Sequence, residues 1–348
     1  MAKAIGVEIK AAFKKASVWG EAVACGANDG ILILPPSLKK DRPNQVDDSL
    51  GLYFPEDSDP GEIKVEGDIP AYLRYDSLDL LIALAMGATG GAPVQPDSVN
   101  APNTYQQTFT LADNLDGLFG TFALNNNVNI DEYPSVKVAG FTLKGEVGKP
   151  LEITFHCIAI DRITNSSVNT LTSFSNVTYF ETSNRVLMSQ GVIRMNNQSD
   201  AALGIGDEIY PSSFELTFKR NMQGVYGVAS GFDKIDEPTN AGQPEVTLKL
   251  EFPRYTSDAH FTGWDANTAK KLDMTFTGAL IEDTYHRTFR IEFPNLKYAN
   301  VNLPIEQGIL KHPVEFDCLA CDTAPSGMTA TKPFLIEVIN RQSADVLA

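Results

Sequence analysis

Apolar and polar residues alternate along much of the chain. The alternation is clearest in Ile5, Val7, Ile9, Ala11 and Phe13; in Leu151, Ile153, Phe155, Cys157 and Ala159; in Phe214, Leu216 and Phe218; in Val246, Leu248, Leu250 and Phe252; and in Phe289, Ile291 and Phe293. A period of two sends successive side chains to opposite faces, so these segments predict half-buried β-strands. The 26 glycines and 20 prolines, concentrated between the runs, supply turn chemistry. One segment has the helical period instead: Leu78, Leu81, Ile82, Ala85 and Met86 share a face, with Asp76 or Ser77 placed to cap the start and Gly87 to end it.

Laid on itself, the chain looks duplicated. Glu8–Ala22 aligns without a gap on Glu215–Ala229, placing Trp19 on Tyr226 and Gly20 on Gly227. Ile69–Ser77 resembles Leu248–Ser257 through a shared Arg-Tyr, and Lys149–Asp161 resembles His312–Asp322 with Ile153 on Phe316 and Phe155 on Cys318. A weaker block sets Val192–Gln198 on Ile336–Gln342. Four blocks in the same order predict two tandem, similar β-sandwich or barrel-like domains with a short flanking helix, residues 1–205 and 206–348. The first carries a long loop at 35–66 and further insertions at about 90–104 and 161–180.

Charge and motifs narrow the function. Forty-four acids against 28 bases give a formal charge of −16, which argues against gripping nucleic acid by phosphate neutralisation. No stretch reaches the roughly 18 apolar residues of a membrane helix, and no apolar secretory core follows the first lysines, so a chain made in the cytoplasm is expected. That makes the sequons at Asn165, Asn176 and Asn197 incidental. Cys318 and Cys321 form a C-x-x-C, but in a strand that spacing puts the thiols on opposite faces. His156, His260, His286 and His312 are scattered, and His156 reads as a surface imidazole. Asp57, Asp59, Gly61 and Glu62 lack the calcium-loop spacing, Gly87–Gly91 lacks the Lys-Ser/Thr of a phosphate loop, and no G-x-S-x-G occurs. The sequence therefore offers no catalytic, cofactor-binding or metal-binding residue. Trp19 and Tyr226 are expected to fill matched cores.

A strand reaching a Trp-Gly or Tyr-Gly turn, an Arg-Tyr leading into an apolar helix, and a G-x-P-L-E strand ending in Ala-x-Asp together resemble the major tail tube proteins of long-tailed bacteriophages, of the duplicated type. The resemblance covers nearly the whole chain through diffuse patterning. It implies a non-enzymatic virion tail protein whose subunits form pseudo-sixfold trimeric rings, stacked into the conduit for DNA ejection. Its partners would be further copies of itself and other tail proteins such as the tape measure and terminator, with DNA passing through unbound and no membrane contact. A two-domain β-sandwich binding or adhesive surface protein is the alternative.

The loop at 35–66 holds Leu50, Leu52, Tyr53 and Phe54 among many acids and five prolines. Exposing such side chains is unfavourable by roughly 25 cal/mol per Å², so burial is expected. The four either join one ring to the next or fold back as an extra strand on their own domain.

Overall fold

The computed structural model describes residues 8–50, 53–55, 57–181, 183–227, 233–303 and 308–348; Ile5 and Val7 of the first alternating run lie outside them. The fold is mainly β and antiparallel, as the alternation predicts. The principal strands of the first half are β1 (Lys10–Ala16), β2 (Lys39–Asp41), β3 (Lys64–Tyr72), β4 (Tyr105–Leu111), β5 (Phe119–Asn125), β6 (Ile130–Glu146), β7 (Glu152–Ala159) and β8 (Gly191–Asn197). Those of the second are β9 (Ser213–Lys219), β10 (Glu245–Phe252), β11 (Lys270–Glu282), β12 (Tyr285–Val301), β13 (His312–Cys318) and β14 (Leu335–Asn340). Helices α1 (Asp79–Met86) and α2 (Ala259–Asp265) lie one in each half.

An unbroken series of antiparallel neighbours runs β2, β3, β7, β6, β9, β10, β13, β12, crossing from one half to the other at β6 and β9. The early part of β6 carries β5 and β1; the early part of β12 carries β11 and β8 on one side, β14 and β4 on the other. Leu151, Ile153, Phe155, Val314, Phe316 and Cys318 are all buried, in one contiguous apolar cluster shared by both halves. Phe334 sits in that cluster with its ring 6.0 Å from Phe141, 5.4 Å from Phe218 and 6.2 Å from Phe293.

β6 and β12 are each 17 residues long. β6 survives Pro134 and Gly140 because its pairing shifts register between Tyr133 and Val136 and again between Val138 and Gly140. At Gly140 (φ +138°) a Cβ would stand 2.1 Å from the carbonyl oxygen of Phe218, so only glycine lets β9 close on β6 there.

The internal repeats divide into two kinds. The Lys149 and His312 blocks fall on β7 and β13 in the same register: Ile153 pairs with Leu143 and Phe155 with Phe141, while Phe316 pairs with Tyr298 and Cys318 with Leu296. The Arg-Tyr block follows β3 in one half and β10 in the other, leading into α1 and α2. The other two blocks lie on strands with different neighbours. β1 pairs with β5 whereas β9 lies between β6 and β10; β8 pairs with β11 whereas β14 lies between β12 and β4. Alternation is common to any half-buried strand, so it matches segments without fixing what they pair with.

The helix is where its period predicts, ending at Gly87 with φ +93°. Its start differs: Leu78 occupies the cap position with no side-chain hydrogen bond. Asp76 is instead fully buried and accepts a hydrogen bond from Nε of Arg287 at 2.8 Å. Further ties join the halves around α1. Arg220 donates to the carbonyls of Ala85 (3.1 Å) and Met86 (2.8 Å), completing the helix C-terminus. Asn340 donates to the carbonyl of Tyr75 (2.9 Å) and to Oδ2 of Asp79 (2.7 Å). Burial pushes the Asp79 carboxyl up to about 7, against the pull of the Asn340 hydrogen bond and with the help of the Asp76 charge.

Candidate assembly surfaces

The face of the long sheet opposite the core is polar, and its side chains form rows across the strands. Glu152, Lys144, Glu215, Lys249 and Glu315 stand abreast on β7, β6, β9, β10 and β13. Their signs alternate, with Lys144 3.0 Å from Glu215 and Lys249 3.3 Å from Glu315. Two residues along, Thr154, Thr142, Thr217, Thr247 and Asp317 form a second row that ends at Lys297 of β12. These two rows are hydrophilic and nearly balanced in charge, the neighbouring row of Glu146, Ser213, Glu251 and Pro313 adds acids, and none of the three presents a cluster of cations.

The sheet edges repeat within the chain. Beyond Val136 the edge of β6 passes from β5 to β9, which pairs with Gly140–Glu146. On β12 the corresponding edge is covered by β11 as far as Leu296, and Lys297–Val301 has no strand on that side among the described residues. The segment from Leu34 to β2 lies on β3 much as β9 lies on β10: Leu34 N–H donates to Pro70 O (2.7 Å), Ser37 N–H to Asp68 O (2.9 Å), and Lys39 pairs with Glu66.

The 35–66 loop projects from the β2–β3 end as an arm. Asn44–Val46 and Ser58–Pro60 form a two-stranded hairpin in which every residue is exposed. Arg42 anchors its base, donating to Gly61 O at 3.1 Å and to Asp233 at 2.8 Å. Pro43, Pro55 and Pro60 forbid helix, which leaves an extended ribbon. Leu50, Tyr53 and Phe54 are 103%, 91% and 72% exposed, and the Tyr53 and Phe54 rings meet edge to face at 4.7 Å. The expected burial does not occur within the subunit, and these three residues do not form an extra strand on its own domain. The two limbs of the hairpin pair with each other rather than with the main sheet, and so hold the tip away from the core. Leu52 lies outside the described residues.

At the other end of the sheet is an apolar cleft of about 540 Å³, lined by Val147, Val192, Ile193, Tyr210, Pro211 and Pro253 among others. Val147 follows β6, Pro211 precedes β9 and Pro253 follows β10, whereas Asp41 and Lys64, at the arm's base, lie where β7 ends and β10 begins. Tyr210 is 74% exposed there, its hydroxyl donating to Glu208 at 3.2 Å.

The expected chemistry sites resolve differently. Cys321 lies beyond the end of β13, so the opposite-face argument does not apply to it; its thiol points at the Ala330 carbonyl while Cys318 is buried. Among the described residues no three His, Cys, Asp or Glu side chains gather as a metal-binding group. His156 is part-buried between Asp68 (2.8 Å) and Thr142 (3.0 Å). Trp19 and Tyr226 do not fill matched cores. Both are half-buried in loops that bridge the halves, Trp19 donating to Ile235 O (3.1 Å) and Tyr226 to Ile63 O (2.9 Å). Sequence reasoning missed the cleft and both polar rows. The signal for the rows was present in the polar positions of each alternating run, but only the strand register aligns them.

No curated protein matches the chain. The sequence profile described as phage tail tube protein matches residues 6–318. With the match spanning nearly the whole sequence, this mainly-β chain belongs to the phage tail tube protein family.

Proposed function

We propose that copies of this subunit close into trimeric rings of pseudo-sixfold symmetry, two similar domains per copy (1–205 and 206–348), and that the rings stack into a DNA conduit with no catalytic step. The observation that carries this reading is the edge at Lys297–Val301, which among the described residues lacks the strand that β9 supplies at the matching edge of β6. The segment from Leu34 to β2 on the next copy is the counterpart of β9 and fits that place, and uncovered sheet edges are natural sites of strand pairing. Each copy would contribute eight strands to a continuous wall. About 24 strands spaced about 4.8 Å apart give a circumference of about 115 Å and a backbone diameter of about 37 Å. Side chains projecting about 5 Å inward leave a bore that a DNA duplex can thread.

The polar rows are the inner surface in this arrangement. Alternating Glu and Lys offer a passing polyanion no run of cations with which to exchange counterions, and the threonines keep the wall wet, so DNA slides without being held. Negative-stain images of concentrated protein should contain rings or tubes with a central channel. In those tubes Thr217→Cys, in a Cys321→Ser background, should react with a small maleimide but resist one carrying a large polymer, whereas the unassembled subunit reacts with both. Discrete particles without a channel, or an introduced thiol equally open to the large reagent in the tube, would overturn the reading.

A further inference from the structure

We propose that the apolar arm of one copy seats in the Val147–Tyr210 cleft of a copy in the adjoining ring. This rests on the stacked-ring reading and adds the receiving surface. Three observations carry it. The arm leaves Leu50, Tyr53 and Phe54 largely exposed among the described residues. The cleft, about 540 Å³, is the size of pocket that two aromatic rings fill, and its walls are mostly apolar or aromatic (Val147, Val192, Tyr210, Pro253), with Glu208 and two serines as the polar part. Finally, the two lie at opposite ends of the same strands, so copies displaced along the strand direction bring one's arm to the other's cleft.

The size of the arm suits the task. From Arg42 to Leu50 the ribbon spans roughly 25 Å at about 3.3 Å per residue, enough to cross from one ring into the next. The Tyr53–Phe54 pair enters as an edge-to-face unit, and Tyr210 offers a third ring to stack against it. The occupant is a second copy of this chain.

Complementation tests the contact. One variant lacks residues 44–60 and keeps the cleft; the other keeps the arm and carries Val192→Glu with Tyr210→Glu. The substituted side chains are already partly or largely exposed, so both variants should match the parent in far-UV circular dichroism and urea midpoint. Each alone should stop at single rings, with at least a tenfold loss of sedimentable tubes. Mixed, they should give pairs of rings and nothing longer, because one intact arm meets one intact cleft. In a Cys321→Ser background, Phe54→Cys with Val192→Cys should form an intermolecular disulfide ladder on oxidation. Full-length tubes from the cleft variant, or no ring pairs in the mixture, would overturn the cleft as the seat while leaving the tube reading in place. A parent protein that forms no rings at all would sink both.

Discussion

Removing the Asp76 carboxylate tests how tightly the halves are joined. Asp76 is fully buried and Arg287 nearly so, their contact is 2.8 Å, and the two belong to opposite halves. Asp76→Ala leaves a guanidinium in the interior with Glu181, 4.0 Å away, as its remaining acid. Stripping one partner from a buried pair costs about 3–5 kcal/mol, more than the pair itself contributes, because the desolvated charge stays behind. Replacing both, Asp76→Leu with Arg287→Met, removes that charge and should cost clearly less, giving a large coupling in a double-mutant cycle. Urea unfolding of the arm-deleted protein, diluted until sedimentation shows single subunits, keeps ring and tube contacts out of the measurement. The sequence has two tryptophans, Trp264 within the second half and Trp19 in a first-half loop bonded to Ile235 O of the second, so Trp19→Phe and Trp264→Phe versions report the second half and the bridging loop in turn. With a slope near 3 kcal/mol per molar urea, Asp76→Ala should lower the midpoint by roughly 1–1.7 M for both reporters. A drop below about 0.3 M, or one confined to a single reporter, would refute the view that this pair couples the halves.

Asp79→Asn should stabilise the fold at pH 8 and do little at pH 4. The folded-state carboxyl is raised to about 7, so its contribution is full below the ordinary value of 3.8 and is lost as pH climbs to about 7. The advantage of Asn should therefore grow across that window and then level off, which urea midpoints at pH 4, 6 and 8 will measure; a flat difference would refute it. Gly140→Ala should cost about 2–3 kcal/mol through its clash with Phe218, read as a lower thermal midpoint. Assembled tubes should bind duplex DNA more weakly than about 1 µM at physiological salt in a filter assay. Cys321→Ser should leave assembly and metal content unchanged by elemental analysis.

What could be read from the chain alone was local. Phe155 and Phe316 announce their buried face through neighbours two residues away, and α1 through a spacing of three and four. The long β6 was obscured because Pro134 and Gly140 resemble turn residues until the register shifts that absorb them are seen. Asp76 reads as a helix cap because its true partner is 211 residues distant. The apolar content of the arm was plain, yet whether it folds back depends on where the hairpin leaves the sheet, and the cleft is assembled from Val147, Val192, Tyr210 and Pro253, which no sequence window contains together.

In the stack proposed above, the placement of arm and cleft at opposite ends of the sheet would give the assembly a direction. Each addition through this contact uses one arm and one cleft and leaves one of each, so the contact never saturates and the subunit encodes no stopping point. The two termini of any stack are chemically unlike, one a fringe of acidic hairpins tipped with aromatic rings, the other a rim of apolar clefts. In the proposed stack a factor that ends growth would have to match one terminus, offering hydrophobic hollows to the first or an inserting plug to the second, and the arm–cleft contact itself would set no length.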